Sequence, residues 1–131
     1  MTASEEEWAE AILALDQIVI EGFKDKPLRH LASQMGIKLE KEWRSLKLLD
    51  ECLKGKGRAE SDVDDAIQAL RTVRDLRTIV KGHFAPAKKV DAIRQALSSH
   101  GSFQSHFKSL CAGCDEALEL VLDTFRITAG R

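Results

Sequence analysis

Apolar residues recur every three or four positions along almost the whole chain, which is the spacing of one face of an α-helix. The 131-residue sequence breaks this pattern mainly at glycine and proline, notably at Gly36, Gly55-Lys56-Gly57, Gly82 and Pro86. No segment alternates apolar and polar residues over a sustained length, and no Asn-Gly or Asp-Gly hairpin signal occurs. The sequence therefore predicts an all-α fold, a bundle of four or five main helices with short connections.

These breaks divide the chain into helical segments that mostly begin at polar capping residues or at proline. The predicted segments run from Ser4 to about Gly22, Leu28 to Met35, about Glu40 to Gly55, Ser61 to Gly82, Pro86 to about His100, and from Ser102 onward. In the fifth segment the stripe Val90, Ile93 and Leu97 is predicted to face inward, and Leu122 is predicted on the inner face of the last segment.

The length and composition fit one domain over residues 1–131. Hydrophobic residues make up 44% of the chain and charged residues 31%, which is typical of a globular protein and not of a disordered one. No apolar run approaches the roughly 20 residues needed to cross a bilayer. The acidic start MTASEEEW does not resemble a signal peptide, and the three cysteines do not suggest a disulfide framework. We therefore expect a cytoplasmic protein without a membrane partner.

Positive charge is concentrated in one part of a chain whose net charge is only −1. Residues 1–70 hold 10 basic and 15 acidic residues, whereas residues 71–94 hold 7 basic and 2 acidic residues. A local basic patch of this kind can bind a phosphodiester without a highly basic protein around it. The alternative is a solvated helix end, where cations are favoured by the helix dipole.

Arg77 occupies an unexpected position in the fourth helical segment. The apolar stripe of that segment includes Leu70, Val73, Val80 and Phe84, and Arg77 stands where the stripe requires an apolar residue. A guanidinium at such a position must find an acceptor or line a cleft open to an anion, because an unpaired buried charge is costly.

His83 follows Arg77 closely and supplies a group that can transfer protons near neutral pH. Cleavage of RNA needs a group that moves the 2′-hydroxyl or leaving-group proton, and positive charge against the phosphate. Arg77 and His83 are therefore the candidate catalytic residues. The candidate substrate-binding residues share one face of the same helix and can follow a nucleic-acid backbone: Arg71, Arg74, Thr78 and Lys81. A dipole-stabilised helix end with a surface histidine remains the alternative for the whole group.

The run LRTVRDLRTIVKGH resembles the signature of the HEPN superfamily, small helical domains in which an arginine precedes a histidine by a few residues. Here five residues separate Arg77 from His83. The runs LDQIVIEGFKDKPLRHLASQMGI, EWRSLKLLDECL and HGSFQSHFKSLCAGCDEAL also resemble helices of such domains, so the resemblance covers most of the chain.

The resemblance implies a metal-independent RNA endonuclease of the toxin or phage-defence type, which leaves a 2′,3′-cyclic phosphate and needs no cofactor. It implies a homodimer in which two Arg–His pairs face one cleft, with Arg77 holding the phosphate and His83 acting as acid or base. Thr78 departs from the family pattern, which commonly has Asn, Asp or His after the arginine. Many members are non-catalytic, so the alternative is a binding or dimerisation module, with an antitoxin or another protein as a possible partner.

Cys111 and Cys114 form the sequence CAGC, which has the Cys-x-x-Cys spacing of a thioredoxin-type redox motif. That motif belongs at a helix start after a strand, whereas this one lies inside a predicted helix, so two buried thiols explain it better. A zinc site formed by both cysteines with His100 and His106 does not match a known spacing. Asp62, Asp64 and Asp65 faintly resemble a calcium-binding loop but lack its glycine and distal glutamate, so an acidic helix start explains them. We predict no metal ligands.

Overall fold

The computed structural model describes residues 4–81 and 86–129, and the side chains among these as far as residue 125. The described residues form six helices and no strand, so the predicted all-α fold is confirmed. The helices are α1 (Glu5–Val19), α2 (Asp25–Gln34), α3 (Ser45–Gly55), α4 (Glu60–Lys81), α5 (Pro86–His100) and α6 (Phe103–Ala129).

Two serines cap helices as the sequence predicts. Ser4 accepts a hydrogen bond from the backbone N–H of Glu7 at 3.2 Å, and Ser102 accepts one from Ser105 at 3.1 Å. Each bond satisfies a backbone donor that has no partner within its own helix. Between α5 and α6, Gly101 adopts a positive φ of 80°, which glycine reaches without steric cost.

Helix α3 begins at Ser45, several residues later than the predicted start near Glu40. The guanidinium of Arg29 donates hydrogen bonds to the backbone carbonyls of Glu40, Lys41 and Trp43. These bonds hold the segment before α3 against α2 in a non-helical path. A contact with a distant side chain therefore overrides the local helical periodicity, which continues through Trp43.

Helix α4 lies at the centre of the bundle and packs against α1, α3, α5 and α6. Its buried residues join the main core, which also includes side chains of α2, α3 and α6. A second, smaller cluster contains the fully buried Trp8 and Ile12 of α1, with Val80 of α4 and Ala96 of α5. Both clusters contact α4, so this helix is fixed on several sides.

Helices α4 and α6 approach closely at Gly113. A Cβ atom at this position would lie 3.3 Å from the Cβ atom of Ala69, which is tighter than most contacts of this kind. The sequence leaves open whether Gly113 permits close packing or marks a kink. The short distance to Ala69 favours the first of these, a glycine that lets the two helices approach closely.

The outer helices cover less apolar surface than their stripes predict. The exposed fraction is 51% for Val90, 39% for Leu97 and 55% for Leu122, although the apolar spacing predicts that all three face inward. Helix α5 buries Ala96 and leaves Ile93 half-buried. Because α5 lies at one side of the bundle, only part of its apolar stripe has a neighbouring helix to contact.

No helix in the described part of the chain combines the length and apolar character that a bilayer crossing requires.

Candidate functional site

The side chains of Arg74 and Arg77, one helical turn apart on α4, converge on the same carboxylate of α1. Arg74 Nε lies 3.0 Å from Asp16 Oδ1, and Arg77 Nε lies 3.6 Å from Asp16 Oδ2. Residues three apart on a helix lie on adjacent parts of its surface, so both side chains reach one partner. Arg77 has therefore found the acceptor that its position in an apolar stripe requires.

Asp16 is fully buried in the bundle. Within the described residues, neither of its carboxylate oxygens has a hydrogen-bond partner of good geometry, nor does Arg74 Nε, so these contacts are ionic and not directional. Burial raises the pKa of the Asp16 carboxyl, while the charges of Arg74 and Arg77 oppose that rise. The two guanidiniums compensate a carboxylate that water does not reach.

Arg77 and Arg74 are both partly open to solvent, with exposed side-chain fractions of 27% and 35%. Each points its Nε towards Asp16, and Arg77 Nη2 also lies 4.0 Å from Glu21, a more exposed carboxylate. The outer nitrogens of Arg74 have no ion pair among the described residues. These outer nitrogens form the fork with which a guanidinium binds a phosphate.

Arg71 and Arg74 line a groove of 390 Å³ between the start of α3 and the middle of α4. Arg44 and Lys47, at the beginning of α3, contribute two further cations to this groove. The sequence does not single out this pair, because Arg44 and Lys47 lie 24 or more positions before Arg71 in a region of net negative charge. Only the packing of α3 against α4 brings the four cations together.

Thr78 and Lys81 are exposed on the last turns of α4. The hydroxyl of Thr78 donates a hydrogen bond to the carbonyl of Arg74, one turn earlier, at 3.1 Å. Lys81 makes no ion pair among the described residues. Arg71, Arg74, Thr78 and Lys81 thus follow one side of α4 for about 15 Å, at the helical rise of about 1.5 Å per residue.

His83 belongs to residues 82–85, which lie outside the described residues, as does Phe84 of the predicted apolar stripe. The distance between His83 and Arg77 is therefore not part of the observed geometry. Arg77, Arg74 and Arg71 are the predicted site residues that the described structure brings together with other charged groups.

The motif CAGC lies in the middle of α6. Cys114 is buried and Cys111 is half-buried, and burial is the main reason that both thiols have raised pKa values, about 11 for Cys114. A thiol of this kind is largely protonated at neutral pH and therefore a weak nucleophile. The described residues contain no cluster of three or more His, Cys, Asp or Glu side chains placed to share a metal ion.

His106 is the one described histidine with a side-chain hydrogen bond. Its Nδ1 accepts a bond of 3.0 Å from Trp8 Nε1, and its ring lies 5.0 Å from that of His100. Burial, aided by the charge of His100, lowers the pKa of His106. Both histidines line a second groove of 460 Å³ between α4, α5 and α6.

No family model, no curated protein and no solved structure matches the chain. The resemblance to the HEPN superfamily therefore rests on the spacing of Arg77 and His83 and on the flanking helical runs.

Proposed function

We propose that this protein is a metal-independent RNA endonuclease that acts through Arg77 and His83 at the cleft of a homodimer. The supporting observation is the arrangement of three arginines on α4. Arg77 is fixed by the buried Asp16, and beside it Arg74 and Arg71 lead into a groove lined by further cations. Such an arrangement suits a strand of phosphates that passes along α4 with one phosphate at Arg77.

In this proposal Arg77 binds the scissile phosphate through its outer nitrogens, while Asp16 holds the Nε side of the guanidinium. Positive charge fixed in advance stabilises the extra negative charge that develops on the phosphoryl oxygens. The 2′-oxygen attacks phosphorus as it loses its proton, and the 5′-oxygen leaves and gains a proton. His83 serves as the acid or the base for one of these transfers.

The test is an RNA cleavage assay in the presence of a chelator, with analysis of the cleaved ends. We expect wild-type protein to leave 2′,3′-cyclic phosphates, and His83→Ala to lose at least about a hundredfold in rate. His30→Ala is the matched control, because His30 is exposed on α2 and outside the site. Cleavage that persists in His83→Ala, or that requires a divalent metal ion, would show that the proposal is wrong.

Arg77 needs a more careful substitution than alanine. Arg77→Ala leaves Asp16 with one fewer cation, so a loss of activity would be confounded by a loss of stability. Arg77→Lys retains a positive charge near Asp16 but lacks the planar fork of donors. We expect Arg77→Lys to melt close to wild type and to cleave RNA at least about tenfold more slowly, with Arg94→Lys on the exposed side of α5 as control.

A second candidate function, a non-catalytic binding or dimerisation module, is favoured by the same ion pair. If Arg77 serves only to neutralise Asp16, its contacts with Asp16 and Glu21 are its whole role. This candidate predicts that purified protein does not cut RNA in any metal condition. It further predicts that Arg77→Lys changes neither stability nor partner binding.

A further inference from the structure

The groove between α3 and α4 is a bounded concave site with a defined lining, unlike a general basic surface. Four cations and one acid, Glu42, line a volume of 390 Å³. This volume lies within the range of small-molecule sites, about 300 to 1,000 Å³. The groove is thus large enough for a compact polar ligand, and the balance of charge favours an anion.

Two of the four cations are already paired within the protein. Lys47 lies 3.0 Å from Glu51 and 3.7 Å from Asp50, and Arg74 contacts Asp16. By contrast, Arg44 and Arg71 are exposed and make no ion pair with any described residue. These two guanidiniums, one from each helix, are available to bind a phosphate between them.

The start of α3 adds to the positive potential of the groove. Its N-cap residue is Arg44, whose side chain accepts no hydrogen bond from the backbone N–H groups of the first turn. Ser4 and Ser102 do cap α1 and α6. An uncapped helix start favours a negative charge nearby, although here it only supplements the arginines.

One wall of the groove is apolar. Ile20 and Leu46 are almost fully buried beneath this wall, so its accessible apolar surface comes mainly from the half-buried Trp43. The ammonium of Lys47 lies over the Trp43 ring, 5.4 Å from its centroid, so a nucleoside would contact the ring edge or displace Lys47. A free inorganic phosphate would gain nothing from this wall. A ligand that carries a phosphate beside a flat, partly apolar group, such as a nucleotide, can contact both the arginines and Trp43.

We propose that the groove binds one nucleotide of single-stranded RNA, with its phosphate between Arg44 and Arg71 and its nucleoside against Trp43. Arg74 lines the groove and shares Asp16 with Arg77, so the bound nucleotide is a near neighbour of the phosphate at Arg77. The choice of RNA as the ligand rests on the proposed function. The groove would then determine which bond of the strand reaches Arg77.

The test measures binding of a 2′-O-methyl oligoribonucleotide, which lacks the free 2′-hydroxyl needed for cleavage, by fluorescence anisotropy. We expect Arg44→Gln and Arg71→Gln each to weaken binding about tenfold or more, as for the loss of a charge-assisted hydrogen bond. Each should also reduce the slope of affinity against salt by about one. Arg94→Gln, with the same change of charge on α5, should alter binding by less than about twofold.

Tryptophan fluorescence locates the ligand. Trp8 is fully buried and Trp43 lines the groove, so a neutral quencher such as acrylamide should mainly reach Trp43. We expect the oligonucleotide to protect Trp43 from quenching in wild type and less so in Arg71→Gln. Unchanged quenching at a saturating oligonucleotide concentration would show that the nucleoside does not lie against Trp43.

The outcomes separate this inference from the proposed cleavage. Equal affinity of Arg44→Gln, Arg71→Gln and Arg94→Gln overturns the groove as a binding site, whether or not the protein cleaves RNA. Tighter binding of an acidic peptide of equal charge overturns the assignment to nucleic acid. If binding depends on both arginines but RNA with free 2′-hydroxyls is never cut, the groove stands and the endonuclease proposal fails. Arg44 and Arg71 are exposed, so their variants should melt like wild type.

Discussion

Asp16 is the residue on which the geometry of the candidate site depends most. Its buried carboxylate lies between Arg74 and Arg77, and both arginines turn their Nε atoms towards it. Without that carboxylate, each guanidinium would be free to rotate on a long and partly exposed side chain. We infer that Asp16 is a positioning residue, which acts on a bound phosphate only through the arginines.

We predict that Asp16→Asn separates the orientation of Arg74 and Arg77 from the effect of the Asp16 charge on RNA binding. Burial already disfavours the charged form of Asp16, and the arginines released by the substitution are partly hydrated. The free energy of unfolding should therefore fall by only about 1 to 2 kcal/mol, as measured by chemical denaturation. RNA affinity should be equal or higher because a negative charge is removed, while the cleavage rate should drop about tenfold.

Glu21→Gln is the control for this prediction. Glu21 also lies near Arg77, at 4.0 Å, but it is exposed and contributes little to orientation. It should raise RNA affinity slightly and leave the cleavage rate within about twofold of wild type. An Asp16→Asn variant that cleaves at the wild-type rate would refute the positioning role.

His106 should make stability depend on pH. Burial lowers the pKa of His106, so between its folded and unfolded pKa values the unfolded chain binds the extra proton. Stability from this group is therefore fully present above about pH 6.5 and is lost as pH falls through the folded pKa. Protonation at Nδ1 would also remove the hydrogen bond from Trp8.

Denaturation of wild type and His106→Gln at a series of pH values measures this effect. We expect wild type to lose stability below neutral pH, with a slope of at most about 1.4 kcal/mol per pH unit for one proton. His106→Gln should lack that part of the slope, whereas the exposed His100→Gln should keep most of it. Identical slopes in wild type and His106→Gln would contradict the assignment.

At the scale of the helices, the contact between α4 and α6 depends on a small residue. A Cβ atom at Gly113 would lie 3.3 Å from that of Ala69, and Gly113→Leu would add a full side chain there. We predict that Gly113→Leu lowers the free energy of unfolding by about 1 to 3 kcal/mol, the usual cost of overpacking. Calorimetry would measure this loss.

Gly113→Ala is the control for overpacking. Alanine favours a helix interior over glycine by about 1 kcal/mol, which offsets a modest clash with Ala69. The alanine variant should therefore melt within a few degrees of wild type. If Gly113→Leu were equally stable, the two helices would have room to separate, and the close approach would not be needed for the fold.

The helical secondary structure and the positions of most helices follow from apolar spacing and from capping residues such as Ser4 and Ser102. The late start of α3 does not, because it results from hydrogen bonds that Arg29 makes across the α2–α3 connection. The periodicity of a segment contains no information about a side chain that will bind its backbone from another helix. The exposure of Val90 likewise depends on which helices surround α5.

The candidate site likewise has residues that the sequence identifies and contacts that only the packing of helices determines. Arg77 was identifiable because it interrupts an apolar stripe, and Arg71 and Arg74 because they cluster on one helix. Its partner Asp16 lies 61 positions earlier and interrupts the apolar stripe Trp8, Ile12 and Val19 of α1 in the same way. Neither stripe shows that the two charges pair with each other, because only the packing of α1 against α4 brings them together.

At the scale of the whole molecule, the proposed cleft requires two copies of the chain. We predict that light scattering coupled to gel filtration gives a mass twice the 14.6 kDa of one chain. The distribution of charge is compatible with pairing, because residues 71–94 carry a net charge of +5 and residues 1–70 one of −5. Sedimentation in high salt would show whether these charges contribute to the stability of the dimer.

A subunit-mixing experiment tests whether the dimer is functional. Inactive His83→Ala subunits in excess should exchange with wild type and lower its cleavage rate, because a cleft with one intact pair is incomplete. Arg94→Lys subunits, which keep both site residues, should leave the rate unchanged or raise it. A monomeric mass together with full activity in the mixture would exclude a shared cleft.

If the protein binds RNA as proposed, the shared carboxylate of Asp16 also determines how much of the molecule that binding needs. An isolated peptide with the sequence of α4 would keep every positive charge of that helix and would still attract polyanions. It would lack the anchor that α1 provides, and its arginine side chains would sample many rotamers. Under the proposed function, α4 alone would therefore attract polyanions, whereas the selection of one phosphate would need the assembled bundle.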